Sequence, residues 1–128
     1  MRFFDDHSGW GSRWNWVDEN NVVVGYDSDG QCCEDFGYLI TSAPIPDETC
    51  LWDVKEIPNF DYESHVFDPN FCQSGYSSDE TGWVTFRLIS KDNASEFTYL
   101  TLYNSHNGYY RHGFSMEVGE TVTHEGSI

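Results

Sequence analysis

The chain has 128 residues, enough for one domain with a modest core, and its 38% hydrophobic and 17% aromatic content is not that of an acidic disordered tail. Six Lys and Arg stand against 22 Asp and Glu, a net charge of −16. A field of that sign repels phosphate, which excludes direct nucleic-acid binding and leaves cations, basic protein surfaces or plain solubility as its use.

The charge is also uneven. Between Asp18 and Glu80, fifteen acidic residues accompany one basic residue, Lys55, whereas the flanking stretches are close to balanced. No apolar run is as long as a membrane span, and MRFFDDHSGW lacks the apolar stretch of a secretory signal. A cytoplasmic chain with no membrane partner is the expectation, in the host cytoplasm if it is phage-encoded.

In chain order, SRWNWV alternates Trp14 and Trp16 with Arg13 and Asn15, and NNVVVGY is a β-branched run; both predict strands. Asp29-Gly30 is a hairpin signal that would return the chain through QCCEDFGYLI, with Cys32 and Cys33 on opposite faces. The stretch 43–80 differs. It holds all four prolines and reads as an acidic, insertion-like segment, with ETCLWDVKEI its one candidate helix. WVTFRLIS then sets Val84, Phe86 and Leu88 against Thr85 and Arg87, and EFTYLTLY and YYRHGFSMEV alternate likewise. Short turns at KDNAS and NSHNG join these three strands. The expected fold is a mainly β, antiparallel, sandwich-like single domain over 1–128. It carries a C-terminal three-stranded meander over 83–90, 96–103 and 109–117, and at most one or two short helices.

The chemical motifs are thin. DSDG invites calcium, but counting from Asp27 the Gly falls too early for a calcium loop and the twelfth place is Tyr38. Cys32, Cys33, Cys50 and Cys72 lack the two-to-four-residue pairing of structural zinc sites and the Cys-x-x-Cys of redox pairs. They read as reduced cysteines, with disulfides or zinc as the alternatives. No Gly-x-Ser-x-Gly, His-Glu-x-x-His or phosphate loop is present, so neither an enzyme nor a cofactor is expected. Trp10, Trp14 and Trp16 would make a sugar-stacking platform if they lay on a sheet surface, although period two suits a core.

Two motifs resemble those of a small uncharacterised domain family of phages and bacteria. In that family a D-C-C-E motif follows an early strand pair, and an S-N-G-Y-Y motif precedes a final strand. Cys32, Cys33 and Glu34 match the first, with Gln31 at its Asp; Asn107, Gly108, Tyr109 and Tyr110 match the second, with His106 at its Ser. The resemblance covers about half the chain and departs in the acidic middle. It implies a compact β domain and a phage or mobile-element setting, and it implies no activity.

In that setting the charge points to a non-enzymatic inhibitor of a host defence system, such as an anti-CRISPR. Such a protein would bind a basic, DNA-binding surface of a defence protein as a DNA mimic. The candidate contacts are Asp27, Asp29, Glu34, Asp35, Asp61, Glu63, Asp79 and Glu80. The alternatives are a cation- or zinc-binding β domain and a carbohydrate-binding module.

Overall fold

The computed structural model describes residues 1–7, 11–29, 35–46, 51–76, 81–105 and 111–128, and of Trp52 the backbone alone. Nine strands run through them: β1 (Arg2–Asp6), β2 (Arg13–Val17), β3 (Val22–Asp27), β4 (Asp35–Thr41), β5 (His65–Tyr76), β6 (Gly82–Ser90), β7 (Phe97–Ser105), β8 (Gly113–Val118) and β9 (Thr121–Ser127). They form two antiparallel sheets, ordered β1-β2-β3-β8-β9 and β4-β7-β6-β5. The mainly β, antiparallel architecture that the period-two pattern predicts is the one the chain adopts.

The two sheets share one core. Trp16, Val22, Val24, Tyr26 and Met116 of the first sheet meet Ile40, Phe67, Val84, Phe86, Leu88, Leu100 and Leu102 of the second. Aromatic rings bridge the layers: Trp16 packs edge-on to Tyr38 at 5.2 Å, Trp14 lies 5.5 Å from Phe36, and Phe86 meets Phe114 at 6.2 Å. Each such pair adds about 0.5–1.5 kcal/mol beyond the area it buries. Trp16 is fully buried, so the tryptophans that period two aligned on β2 belong to the core and not to a sugar platform; Trp10 lies outside the described residues.

Three local expectations are corrected. The C-terminal meander stops at two strands: β6 and β7 pair, but β8 crosses to the other sheet and pairs with β3, Tyr26 opposite Phe114 and Val24 opposite Met116. Alternation fixes which face of β8 is apolar, and both sheets offer an apolar face to the same core. The third member of the antiparallel run is instead β5, within the 43–80 segment. The Asp29-Gly30 hairpin is likewise replaced by a crossing between sheets. Both edges of β3 are taken, by β2 and β8, so β4 pairs with β7.

Thirdly, the face that alternation sets opposite Val84, Phe86 and Leu88 is covered as well: Thr85 and Thr101 are fully buried, their hydroxyls 2.8 Å apart. The cover comes from the proline-bearing segment, where Ile45 and Leu51 pack with Trp83 and against Val54, Leu39 and Tyr103 on this outer face. The candidate helix here is reduced to a 3-10 turn, Leu51–Asp53; residues 47–50 lie outside the described residues. On the same face Arg87 sits 4.6 Å from the ring centres of Phe71 and Phe97 and donates two hydrogen bonds to Asp68, at 2.7 and 3.0 Å.

One buried acid ties the layers together. Asp18 is 5% exposed; its Oδ1 accepts from the N–H groups of Asn20 and Val22, and its Oδ2 from that of Phe67, each at 2.9 Å. The turn it organises needs a left-handed residue, supplied by Asn21 at φ 60°. Asp18 therefore works inside the fold and takes no part in the surface field.

Candidate protein-binding site: carboxylates at the two ends of the sandwich

Antiparallel pairing sorts the connections between the two ends of the molecule. At one end the register sets Asp6 beside Arg13 and Arg13 beside Asp27, across β1, β2 and β3. Asp27 Oδ1 accepts the N–H of Asp29 at 2.9 Å, and Asp29 Oδ1 accepts the N–H of Ser12 at 3.0 Å. Gly11 leaves room here for the Asp29 carboxylate, which a Cβ at that position would force to shift. Asp6, Asp27, Asp29 and Arg13 line a recess of 450 Å³, while Arg13 Nη2 donates to Ser115 Oγ at 2.6 Å. Asp35 opens β4 opposite Ser105, exposed, at the same end. There Tyr26 donates its hydroxyl to the carbonyl of Tyr103, linking the two sheets. Burial, then the charges of Asp35 and Glu56, push the Tyr103 phenol above its ordinary value.

Asp61 and Glu63 stand at the other end. They belong to a 3-10 turn, Tyr62–Ser64, which Asp61 caps by accepting the Glu63 N–H at 3.1 Å. Lys91 donates its backbone N–H to the carbonyl of Ser64, and its ammonium lies 3.4 Å from Glu19. Along the strand direction the two acidic turns are thus offset by about the length of β3, roughly 17 Å for five residue steps.

The turns share one device. In each, an Asp side chain accepts the N–H of an acidic residue two positions on, and a buried His donates Nδ1–H to that Asp's own carbonyl. His112 binds the carbonyl of Asp27 at 2.6 Å and stacks on Phe36; His65 binds that of Asp61 at 2.9 Å and packs on Phe60. Core histidines so hold the backbone from which the carboxylates project. The turn setting of the DSD acids was legible in the sequence, whereas the DYE turn was not. Nor were the backing histidines, 85 and four residues away.

Five of the eight candidate contacts fall among the described residues, and they do not form one patch. Asp27, Asp29 and Asp35 share one end, and Asp61 and Glu63 occupy the other. Glu34, Asp79 and Glu80 lie outside the described residues, as do Cys32, Cys33 and Cys50. Cys72 is half-buried, and burial pushes its thiol upward, away from the reactive thiolate. Among the described residues no three His, Cys, Asp or Glu side chains are grouped to hold a metal ion.

One constellation went unnoticed in the sequence. His7 places Nδ1 2.7 Å from Ser12 Oγ and Nε2 3.2 Å from Asp5 Oδ2, the outline of a hydrolase triad. Its surroundings oppose that chemistry. The His7 side chain is 68% exposed, and the Ser12 N–H, the nearest oxyanion donor, is spent on Asp29. A developing oxyanion would sit among the carboxylates of Asp6, Asp27 and Asp29, where it is destabilised.

No protein-family model matches the chain, and no curated protein and no solved structure is significantly similar to it. No helix among the described residues is long and apolar enough to cross a membrane.

Proposed function

We propose that this is a non-enzymatic inhibitor that occupies the basic, DNA-binding surface of a host defence protein, as a DNA mimic. The observation that carries the reading is that the charge is displayed and not consumed. Among the described residues two Lys or Arg side chains pair with acids, Arg87 with Asp68 and Lys91 with Glu19, while Asp35, Asp61 and Glu63 stand exposed. Both acidic turns are fixed by backbone hydrogen bonds, so their carboxylates lose little entropy on binding. Their offset along the strands, about 17 Å, matches five base-pair steps of a phosphate backbone. The anti-defence role, in the cytoplasm of a host cell, rests on the resemblance to phage domains in the DCCE and NGYY regions.

The test begins with capture of the partner from host lysate and ends in competition. The protein and duplex DNA should exclude each other from the isolated partner. Asp27→Asn with Asp29→Asn and Asp35→Asn, or Asp61→Asn with Glu63→Gln, should slow association at low salt, whereas Asp53→Asn with Glu120→Gln should not. A stable ternary complex with DNA still bound refutes mimicry.

A further inference from the structure

A two-sheet sandwich has two open sides, and this chain treats them differently. On the side of β1 and β4 its own segment 55–62 closes the gap. Ile57 donates its backbone N–H to the carbonyl of Ile40 on the β4 edge at 2.8 Å, and Ile57, Phe60 and Tyr62 pack against the core. On the opposite side, between β5 and β9, a groove of 690 Å³ runs beside Tyr76, Trp83, Phe114, Glu125 and Gly126. Tyr76 is 66% exposed there.

The two bordering edges also differ. β5 is blunted against pairing by Pro69 and by an irregularity between Phe67 and Cys72. β9 carries no proline, lysine or arginine, and past its register shift at Met116/Glu117 the run His124–Ser127 pairs regularly with β8. His112 and Ile128 exchange both backbone hydrogen bonds, so alternation makes Phe114 and Gly126 the next bonded pair. Glu125 and Ser127 therefore turn their N–H and C=O groups outward, to an edge that no other strand among the described residues pairs with.

We propose that this edge and groove receive an extended segment of the partner protein, added as a sixth strand beside β9, with one apolar side chain seated against Tyr76 and Phe114. The occupant repeats the chemistry with which segment 55–62 closes the other side: main-chain bonds to an edge plus apolar residues in the gap. Its solvent-facing residues are basic, to suit Glu117 and Glu125, and a second copy of a chain carrying −16 is disfavoured by repulsion. For that charge preference alone the inference rests on the function proposed above.

The experiment is an NMR titration of the intact protein with the acetylated, amidated peptide Lys-Val-Lys-Val-Lys-Val-Lys. A control peptide of equal charge carries Pro at its central Val and cannot complete a strand. The alternating peptide should shift the amides of Glu125, Gly126 and Ser127 and the ring of Tyr76, and bind at least fivefold more tightly than the control. Glu125→Pro removes an outward N–H and leaves the β8 ladder intact, and Tyr76→Ala empties the groove wall. Each should weaken the alternating peptide about fivefold, while neutralising Asp61 and Glu63 should not, which separates this site from the acidic ends. Equal binding of both peptides, or shifts confined to the acidic turns, overturns the proposal. So do concentration-dependent shifts of Glu125 and Ser127 with a doubling of mass in the absence of peptide, since a second copy would then be the occupant.

Discussion

Asp18→Ala is the sharpest test of how the sandwich is held. The side chain accepts three backbone N–H groups, and two of them, from Val22 and Phe67, are in buried surroundings. Truncation leaves those two donors without partners at about 1–3 kcal/mol each, so a loss of about 3–5 kcal/mol is expected. Asp18→Asn separates hydrogen bonding from shape. Its carbonyl oxygen can keep the Asn20 and Val22 bonds, but its NH2 group then faces the N–H of Phe67, donor against donor, for a loss of about 1–3 kcal/mol. Urea denaturation followed by tryptophan fluorescence measures both, since buried Trp16 reports on the shared core. The midpoints should fall in the order wild type, Asn, Ala, with an unchanged slope. An alanine variant that loses less than about 1 kcal/mol would show that water or rearrangement satisfies these donors, and that Asp18 does not join the layers.

The Thr85–Thr101 pair should behave as a coupled unit. Either single Thr→Val change leaves a buried hydroxyl without its partner and costs about 1–2 kcal/mol, whereas the double change should cost less than the sum, read by a double-mutant cycle in urea. Asp68 adds an acid limit. Burial opposes its ionisation, but the hydrogen bonds from Arg87, the Asn70 N–H and the Arg87 charge more than offset this and hold the carboxyl below its ordinary value. The sign follows: the contribution is present above the unfolded carboxylate pKa and is lost as pH falls through the depressed folded value, so Asp68→Asn should flatten the acid limb of a stability–pH curve. Arg87→Lys keeps the charge but loses the two-pronged contact to Asp68 and the stacking between Phe71 and Phe97, and should cost about 1–2 kcal/mol by thermal denaturation. Finally, Cys72 should react slowly with iodoacetamide in the native protein and rapidly in urea, because burial holds its thiol protonated; equal rates would refute its burial.

Alternation along single strands was decisive where a local pattern meets one face. Val84, Phe86, Leu88, Leu100, Leu102 and Met116 are buried as their period-two positions predict. The acids of DSD and DYE sit in turns, as short polar side chains that accept neighbouring N–H groups do. What alternation cannot carry is which edge a strand joins, because both sheets offer an apolar face and the choice lies in contacts far apart in sequence. That is why β8 pairs with β3, and why β4 joins β7 despite the Asp29-Gly30 signal. The buried face of Thr85 and Thr101 was hidden for a related reason, since its cover comes from residues about forty positions upstream. The acidic surface divides the same way. Its quantity and its place between Asp18 and Glu80 are written in the sequence, but antiparallel packing sends Asp27, Asp29 and Asp35 to one end and Asp61 and Glu63 to the other, and withdraws Asp18 into the core. Charge is a local property of the chain, whereas the shape of a charged surface is set by strand direction, which the three-dimensional packing of the two sheets decides.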